Sequence, residues 1–258
     1  MSARGGRNPG WVPNQHGAWA MLLLPPVVGA VASGVRWSHL LLLATWLVGY
    51  LAFFAAGLWL RSRRKARYWP PVRAYTIVAV ALGSVLLATH PALLRWAPVY
   101  APLLAASLWF SARRSDRSLA NDLVTVVAAS LMAVVAWGLG DAEGPVGTGP
   151  LTWPPGATSP HAWLIAGVLL AYFAGTVLYV KTMIRERGNP RMWWASVGYH
   201  AAVVVPTAWA DPVLGALFVV LAVRAAVVPR RWPALSPRTV GIGEVAASVV
   251  LGILLLTR

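Results

Sequence analysis

Apolar residues in this chain are grouped into runs that short polar or basic stretches separate. The runs lie near residues 17–35, 37–60, 75–90, 92–111, 119–139, 161–181, 193–209, 212–229 and 239–257. A helix that crosses a bilayer needs about 20 predominantly apolar residues. The pattern therefore predicts nine transmembrane helices that form a single domain over residues 1–258. The first helix should kink or restart at Pro25 and Pro26, because proline removes a helical hydrogen bond.

The composition supports a membrane protein. Hydrophobic residues make up 58% of the 258 residues and charged residues only 11%, whereas a soluble domain is about half apolar and a quarter charged. These values exclude a disordered chain and argue against an ordinary soluble globule. The absence of cysteine excludes disulfides, thiol catalysis and cysteine-ligated metals. The fold class predicted is an all-α polytopic membrane protein.

The basic residues indicate the orientation of the helices. The formal net charge is +15, and cytoplasmic loops of membrane proteins carry an excess of Lys and Arg. If the N-terminal tail 1–15 is cytoplasmic, all but three of the 22 Lys and Arg residues lie on the cytoplasmic side. This count assigns Arg224 to a cytoplasmic loop. The three exceptions are Arg36, Arg95 and Arg258. This predicts a cytoplasmic N-terminus, an outside loop at about 140–160 and no nucleic-acid partner.

Asp122 is one of the few acidic residues in or beside a predicted span. It shares one face of the fifth helix with Ser118, Asn121 and Thr125, which lie at helical spacing. One interpretation is that Ser118 caps the helix and Asp122 favours its positive N-terminal end. The other is a functional carboxylate, since an ionisable residue in a membrane is a site hypothesis by default. Both remain open at this point.

A polar stripe with helical spacing runs along the end of the sixth helix into a basic turn. It consists of Tyr172, Thr176, Tyr179, Thr182 and Glu186, with Lys181 and Arg185 on the neighbouring face. Hydroxyl groups can simply join membrane helices, and Lys181 can extend to the head groups. The alternative, which the length of the stripe favours, is that it lines a pocket.

Other ionisable residues fall near or within the spans. His16 stands beside Asn14 and Gln15 where the first span enters the membrane. His200 and Ser196 are four residues apart and are expected to make a hydrogen bond between helices. Glu244 is expected to pair with a basic residue or to form a buried site.

The loop 61–73 has six basic residues and no acid. One interpretation is that these basic residues keep the loop on the cytoplasmic side and attract anionic lipid. The other is a grip on a phosphate or diphosphate, because the Arg side chain donates two parallel hydrogen bonds to phosphate.

Three segments together resemble the YwiC-like family of bacterial membrane proteins. They read PNQHGAWAMLLLPP (13–26), RSDRSLANDL (114–123) and YVKTMIRERGN (179–189). The resemblance implies a multi-pass protein of the bacterial cytoplasmic membrane.

The chain is also loosely similar to the UbiA superfamily of intramembrane prenyltransferases, which implies a UbiA-like helical bundle. Those proteins bind magnesium diphosphate through Asp-rich motifs in the loops after spans two and six. The matching loops here, 61–74 and 182–192, have neither motif, and Glu186 is their one acid. The metal ligands therefore do not carry over, and support for Mg²⁺ is weak. Arg and Lys would hold a diphosphate directly, with Asp122 or Glu186 as a single carboxylate.

These observations lead to a first functional hypothesis: an intramembrane enzyme acting on an isoprenoid or other lipophilic phosphorylated substrate. The expected catalytic residues are Asp122, Glu186, His16 and Tyr179. The expected substrate-binding residues are Asn121, Lys181, Arg185, Arg61, Arg63, Arg64 and Lys65. One alternative is a carrier for a small anion or lipid that uses Asp122, Glu244 and His200. The other is a non-catalytic membrane subunit that binds a partner or anionic lipid through its basic loops.

Overall fold

A computed structural model describes residues 10–13, 16–141 and 152–257, with the backbone alone for residues 16–18. These residues form helices and turns, and no strand. The α-helices are α1 His16–Ser33, α2 Trp37–Arg61, α3 Trp69–Thr89, α4 Ala97–Ala112, α5 Leu119–Trp137, α6 Pro160–Ile184, α7 Pro190–Ala210, α8 Pro212–Arg231 and α9 Pro237–Leu256. Two short 3₁₀ helices, Ala66–Tyr68 and Pro91–Trp96, precede α3 and α4.

The described ranges thus contain the nine helices that the apolar runs predict, and the all-α fold class is confirmed. Two helices begin three or more residues earlier than their apolar runs. Helix α3 starts at Trp69 because prolines fit the first turn of a helix, where N–H groups have no partner. Helix α7 starts at Pro190 because Asn189 caps it. Helix α1 runs through Pro25 and Pro26 as one helix, so of the two predicted outcomes, a kink or a restart, the restart does not occur.

Most of these helices can cross a membrane. Seven helical segments of the described chain are long and apolar enough, and they contain α2, α3, α4, α5, α6, α8 and α9. The described apolar part of α1, Trp19–Ser33, is shorter, and α7 is not among the seven. The protein is therefore a multi-pass membrane protein, while nine spans and a cytoplasmic N-terminus stay predictions.

Helices α1, α5 and α6 form the centre of the bundle. Helix α1 contacts α5, α9, α6 and α2, while α5 packs on α6. Helices α2, α3 and α4 pack together on one side, and α7 and α8 pack together on the other. The contact between α1 and α5 is a backbone contact, since a Cβ atom on Gly29 would come within 2.2 Å of the Ala133 carbonyl oxygen. Small residues at such contacts let membrane helices approach closely.

Four turns meet at one end of the bundle, which we call the basic end. They are the α2–α3 connection (62–68), the α4–α5 turn (113–118), the α6–α7 turn (185–189) and the α8–α9 turn (232–236). Arg61 at the end of α2 pairs with Asp116 of the α4–α5 turn. Arg187 of the α6–α7 turn donates to the Leu235 carbonyl of the α8–α9 turn. The fold therefore concentrates the basic loops of the sequence on one face.

Candidate functional site

At the basic end, α5 and α6 are joined by an ion pair. Lys181 Nζ lies 2.8 Å from Asp122 Oδ2 and donates to the Arg117 carbonyl oxygen at 2.8 Å. The Lys181 side chain is only 10% exposed, whereas that of Asp122 is 28% exposed. Lys181 therefore turns toward α5 and does not extend to the head groups. Each charge also lies at the helix terminus that favours it, Asp122 in the first turn of α5 and Lys181 in the last turn of α6.

Asn121, the neighbour of Asp122, ties the surrounding backbone together. Its Oδ1 atom accepts a hydrogen bond from Ser107 Oγ at 2.7 Å, and its Nδ2 atom donates to the Asp116 carbonyl at 2.8 Å. The Asn121 backbone N–H donates to Ser118 Oγ, which caps α5. Ser118 therefore caps α5, as one of the two interpretations of the sequence predicted, and Asp122 forms the ion pair with Lys181.

Two Arg residues complete this arrangement. Arg61 pairs with Asp116, and both side chains are partly exposed. Arg185 Nη1 lies 3.5 Å from the Arg117 carbonyl oxygen, which Lys181 also contacts. We call the connected group the turn network; it consists of Arg61, Asp116, Arg117, Asn121, Asp122, Lys181 and Arg185. It joins five of the site residues that the sequence predicted: Arg61, Asn121, Asp122, Lys181 and Arg185.

The remaining basic residues of the predicted site lie beside the turn network and face solvent. Arg63, Arg64 and Lys65 are exposed in the connection after α2. Arg63 and Arg64 have backbone φ angles of 60° and 59°, a left-handed conformation that side chains other than glycine seldom adopt. The Arg64 guanidinium lies 5.6 Å from the Trp59 ring centroid. These three residues add positive charge at the surface of the site.

Two other predicted catalytic residues, Glu186 and Tyr179, do not join the turn network. Glu186 Oε2 accepts a hydrogen bond from Asn189 Nδ2 at 2.9 Å, so this carboxylate is engaged within the α6–α7 turn. Tyr179 lies under the guanidinium group of Arg224, with 4.1 Å between Arg224 Cζ and the ring centroid. The side chain of His16 lies outside the described residues.

Arg224 and Glu244 form a second ion pair, deeper in the bundle, which we call the deep pair. Arg224 Nη1 lies 2.6 Å from Glu244 Oε1, and the two side chains are 18% and 7% exposed. Thr176 Oγ1 donates to Glu244 Oε2 at 2.8 Å, and Tyr172 OH donates to the Glu244 carbonyl at 3.0 Å. The pair thus joins α8 and α9 to α6, and it confirms the expectation that Glu244 pairs with a basic residue.

The assignment of Arg224 to a cytoplasmic loop is wrong. Arg224 lies within α8, about 10 Å along the axis before Arg231, where the helix ends. Arg224 stands near the end of the apolar run 212–229, where a basic residue usually belongs to a cytoplasmic loop. The apolar residues on both sides of Arg224 were the signal that it belongs inside the helix.

His200 also differs from its prediction. Its Nδ1 atom lies 2.7 Å from the Ser196 carbonyl oxygen, so this hydrogen bond stays within α7 and does not join two helices. The ring instead packs against α6 at Gly175, where a Cβ atom would lie 2.9 Å from His200 Nε2. His200 is therefore a packing residue at the contact between α6 and α7.

The site residues do not fit a magnesium ion. Mg²⁺ is usually held by one or two free carboxylates together with phosphate oxygens. In the turn network each carboxylate already faces a cation, Asp122 facing Lys181 and Asp116 facing Arg61. Within the part of the chain that the structure describes, no three His, Asp or Glu side chains come together as ligands. A phosphate at this site would be held by basic side chains directly.

Comparison with known proteins places the chain in a family. The family model described as "YwiC-like protein" matches residues 12–137, which contain α1–α5. The chain is 28% identical over 251 residues to an "Uncharacterized protein" of Haemophilus influenzae, covering 95% of this chain and 97% of the relative. It is 32% identical over 212 residues to "Uncharacterized protein YwiC" of Bacillus subtilis, and the match covers 80% of this chain and 77% of the relative. No solved structure is a significant match, so the likeness to a UbiA bundle stays a prediction. The chain belongs to the YwiC-like family.

Proposed function

We propose that this YwiC-like membrane protein is an enzyme of the bacterial cytoplasmic membrane that acts on an isoprenoid or other lipophilic phosphorylated substrate. The observation that carries the proposal is the Asp122–Lys181 pair, which is partly open to water and stands among basic turns. The bacterial sources of the relatives support the location. The apolar part of the substrate would lie between the helices and its charged head at the basic end.

The charge at the basic end favours a phosphate head group. Lys181 and Arg61 neutralise the two carboxylates of the turn network, and Arg185 and the exposed Arg63, Arg64 and Lys65 are among the surplus cations. Arg donates two parallel hydrogen bonds to phosphate oxygens. These residues bind the head group, and Asn121 fixes the backbone of the turn beneath them.

Asp122 and Lys181 are suited to the chemistry of a transfer reaction. In the transfer of a prenyl group, the carbon–oxygen bond to the diphosphate breaks and both electrons leave with the diphosphate. A nucleophilic acceptor, which is water when the protein is offered a prenyl diphosphate alone, forms the new bond to carbon and loses a proton. Lys181 holds the Asp122 carboxylate in place at the edge of the bundle, and Asp122 takes that proton as the general base. The basic side chains stabilise the charge on the leaving diphosphate.

The test is pyrophosphate release by the purified protein, offered a panel of prenyl diphosphates with and without magnesium. We expect release that does not require magnesium and that is lost in Asp122→Asn and in Lys181→Gln, while both variants stay folded in detergent. Glu186→Gln is the matched control, because Glu186 is a carboxylate of the same end engaged within its own turn. Release that persists in both Asp122→Asn and Lys181→Gln contradicts the proposal.

A carrier for a small anion or lipid is the second candidate function. The deep pair favours it, since opposite charges within membrane helices often lie on transport paths. A pH-dependent flux in proteoliposomes that is lost in Glu244→Gln supports the carrier. A protein with neither turnover nor flux fits the third hypothesis, a subunit that binds through its basic loops.

A further inference from the structure

A cavity separate from the turn network opens at the basic end, between the start of α7 and the end of α8. Its volume is about 200 Å³. The polar side chains that line it include Thr182, Arg187, Asn189 and Arg230, and the aromatic ones are Trp193 and Trp194. None of the described residues that line it is acidic. The cavity therefore combines two cations with a flat apolar wall.

The two Arg side chains of this cavity are held in different ways. Arg187 donates to the Met183 carbonyl at 3.0 Å and to the Leu235 carbonyl at 3.2 Å. Arg230 stacks on Trp193, with 3.6 Å from Cζ to the ring centroid. Within the described ranges no hydrogen bond or ion pair joins the Arg230 guanidinium to another residue, so its N–H groups are available to a ligand.

The aromatic wall is itself fixed by the fold. Trp193 is 9% exposed, and its indole N–H donates to the Ala226 carbonyl of α8 at 3.3 Å. The plane of the Arg230 guanidinium is thereby set by a ring that cannot turn freely. A guanidinium held in one plane loses less conformational entropy when it binds a phosphate with two hydrogen bonds.

Trp194 indicates that the ligand is a lipid. It lines the cavity and is 62% exposed, and it lies at a predicted membrane boundary, where tryptophan rings usually contact lipid. We propose that this cavity binds the phosphate of an anionic membrane lipid, with Arg230 and Arg187 on the phosphate oxygens and Trp194 against the apolar part. The site shares no residue with the turn network and does not depend on the proposed enzyme activity.

The test is titration of the purified protein in neutral detergent with short-chain phosphatidylglycerol. We expect saturable binding of phosphatidylglycerol, and Arg230→Gln should weaken this binding at least tenfold. Phosphatidylcholine of the same chain length should bind more weakly than phosphatidylglycerol. Arg231→Gln is the matched control, because Arg231 is exposed at the same helix end but lies over Trp232 and does not line the cavity. This control should weaken binding less than twofold.

A second variant and a competitor distinguish the sources of the phosphate. Trp194→Ala should weaken phosphatidylglycerol binding about fivefold, and a large excess of inorganic phosphate should not displace the lipid. If Arg230→Gln and Arg231→Gln lose the same affinity for phosphatidylglycerol, the lipid is attracted by diffuse surface charge and the proposal is overturned. Displacement by inorganic phosphate, or the absence of saturable binding to the wild-type protein, also overturns it.

Discussion

The turn network and the deep pair are both built on a carboxylate and a basic side chain, but they differ in their access to water. Asp122 is 28% exposed in the turn network, whereas Glu244 is 7% exposed in the deep pair. A ligand can replace a partner of an ion pair at the edge of the bundle at modest cost. Removing one partner of a buried pair leaves an uncompensated charge. An ionisable residue in the membrane is therefore not by itself a site of chemistry.

The two ion pairs also differ in the net charge of the residues around them. Lys181 and Asp122 stand among turns that carry a surplus of cations, so an anion is attracted to them. Arg224 and Glu244 balance each other, and their other contacts include Thr176, Tyr172 and the ring of Tyr179. We expect the turn network to act on a ligand and the deep pair to hold α8 and α9 against α6.

The largest expected effect comes from breaking the deep pair. Glu244→Leu should lower the free energy of unfolding by about 3–5 kcal/mol, because Arg224 is left buried without its partner. The double variant Arg224→Met with Glu244→Leu should recover most of this loss, since an apolar pair of similar volume is often as stable as a buried ion pair. Thermal unfolding in detergent measures both. A double variant no more stable than Glu244→Leu would mean that the pair does not act as a unit.

The next effect is on turnover. Asp122→Asn should lower the rate of pyrophosphate release at least 100-fold, the low end for loss of a general base. Its unfolding temperature should fall less than that of Glu244→Leu, because Asp122 is partly exposed and Lys181 keeps its hydrogen bond to the Arg117 carbonyl. Glu186→Gln should stay within about threefold of the wild-type rate. If Glu186→Gln shows the larger loss, the base lies in the α6–α7 turn and the assignment to Asp122 is wrong.

A smaller effect is expected on substrate affinity. Arg185→Gln should raise KM about tenfold, the low end for a hydrogen bond to a charged group, while kcat falls little. Arg73→Gln is the comparison, because Arg73 is an exposed Arg of α3 that lies outside the turn network. Steady-state kinetics at several substrate concentrations separates the two constants. Equal effects of the two substitutions would indicate general electrostatic attraction.

The smallest effect concerns the exposed loop. Lys65→Gln should weaken binding to anionic vesicles by about 1 kcal/mol, or roughly fivefold, as expected for one basic residue near a charged surface. The difference should disappear at high salt, because exposed charges are screened. Vesicle sedimentation at low and high ionic strength tests this. A loss that persists at high salt would show that Lys65 makes a specific contact.

The sequence predicted the helices well and the pairing of side chains only in part. Apolar runs of span length fix where helices form, but not which helices meet. The Asp122–Lys181 contact depends on how α5 and α6 pack. In one continuous helix the predicted polar stripe would be about 21 Å long from Tyr172 to Glu186, which is long enough to reach two different places in the bundle. Tyr172, Thr176 and Tyr179 face the deep pair, whereas Glu186 belongs to a turn.

The central claim is that the turn network, and not the deep pair, acts on a phosphorylated lipophilic substrate. Pyrophosphate release from prenyl diphosphates should therefore be compared in the wild-type protein, in Asp122→Asn and in the Arg224→Met with Glu244→Leu double variant. The account predicts release by the wild type and the double variant and its loss in Asp122→Asn. Release that survives Asp122→Asn, or that disappears in a folded double variant, would contradict it.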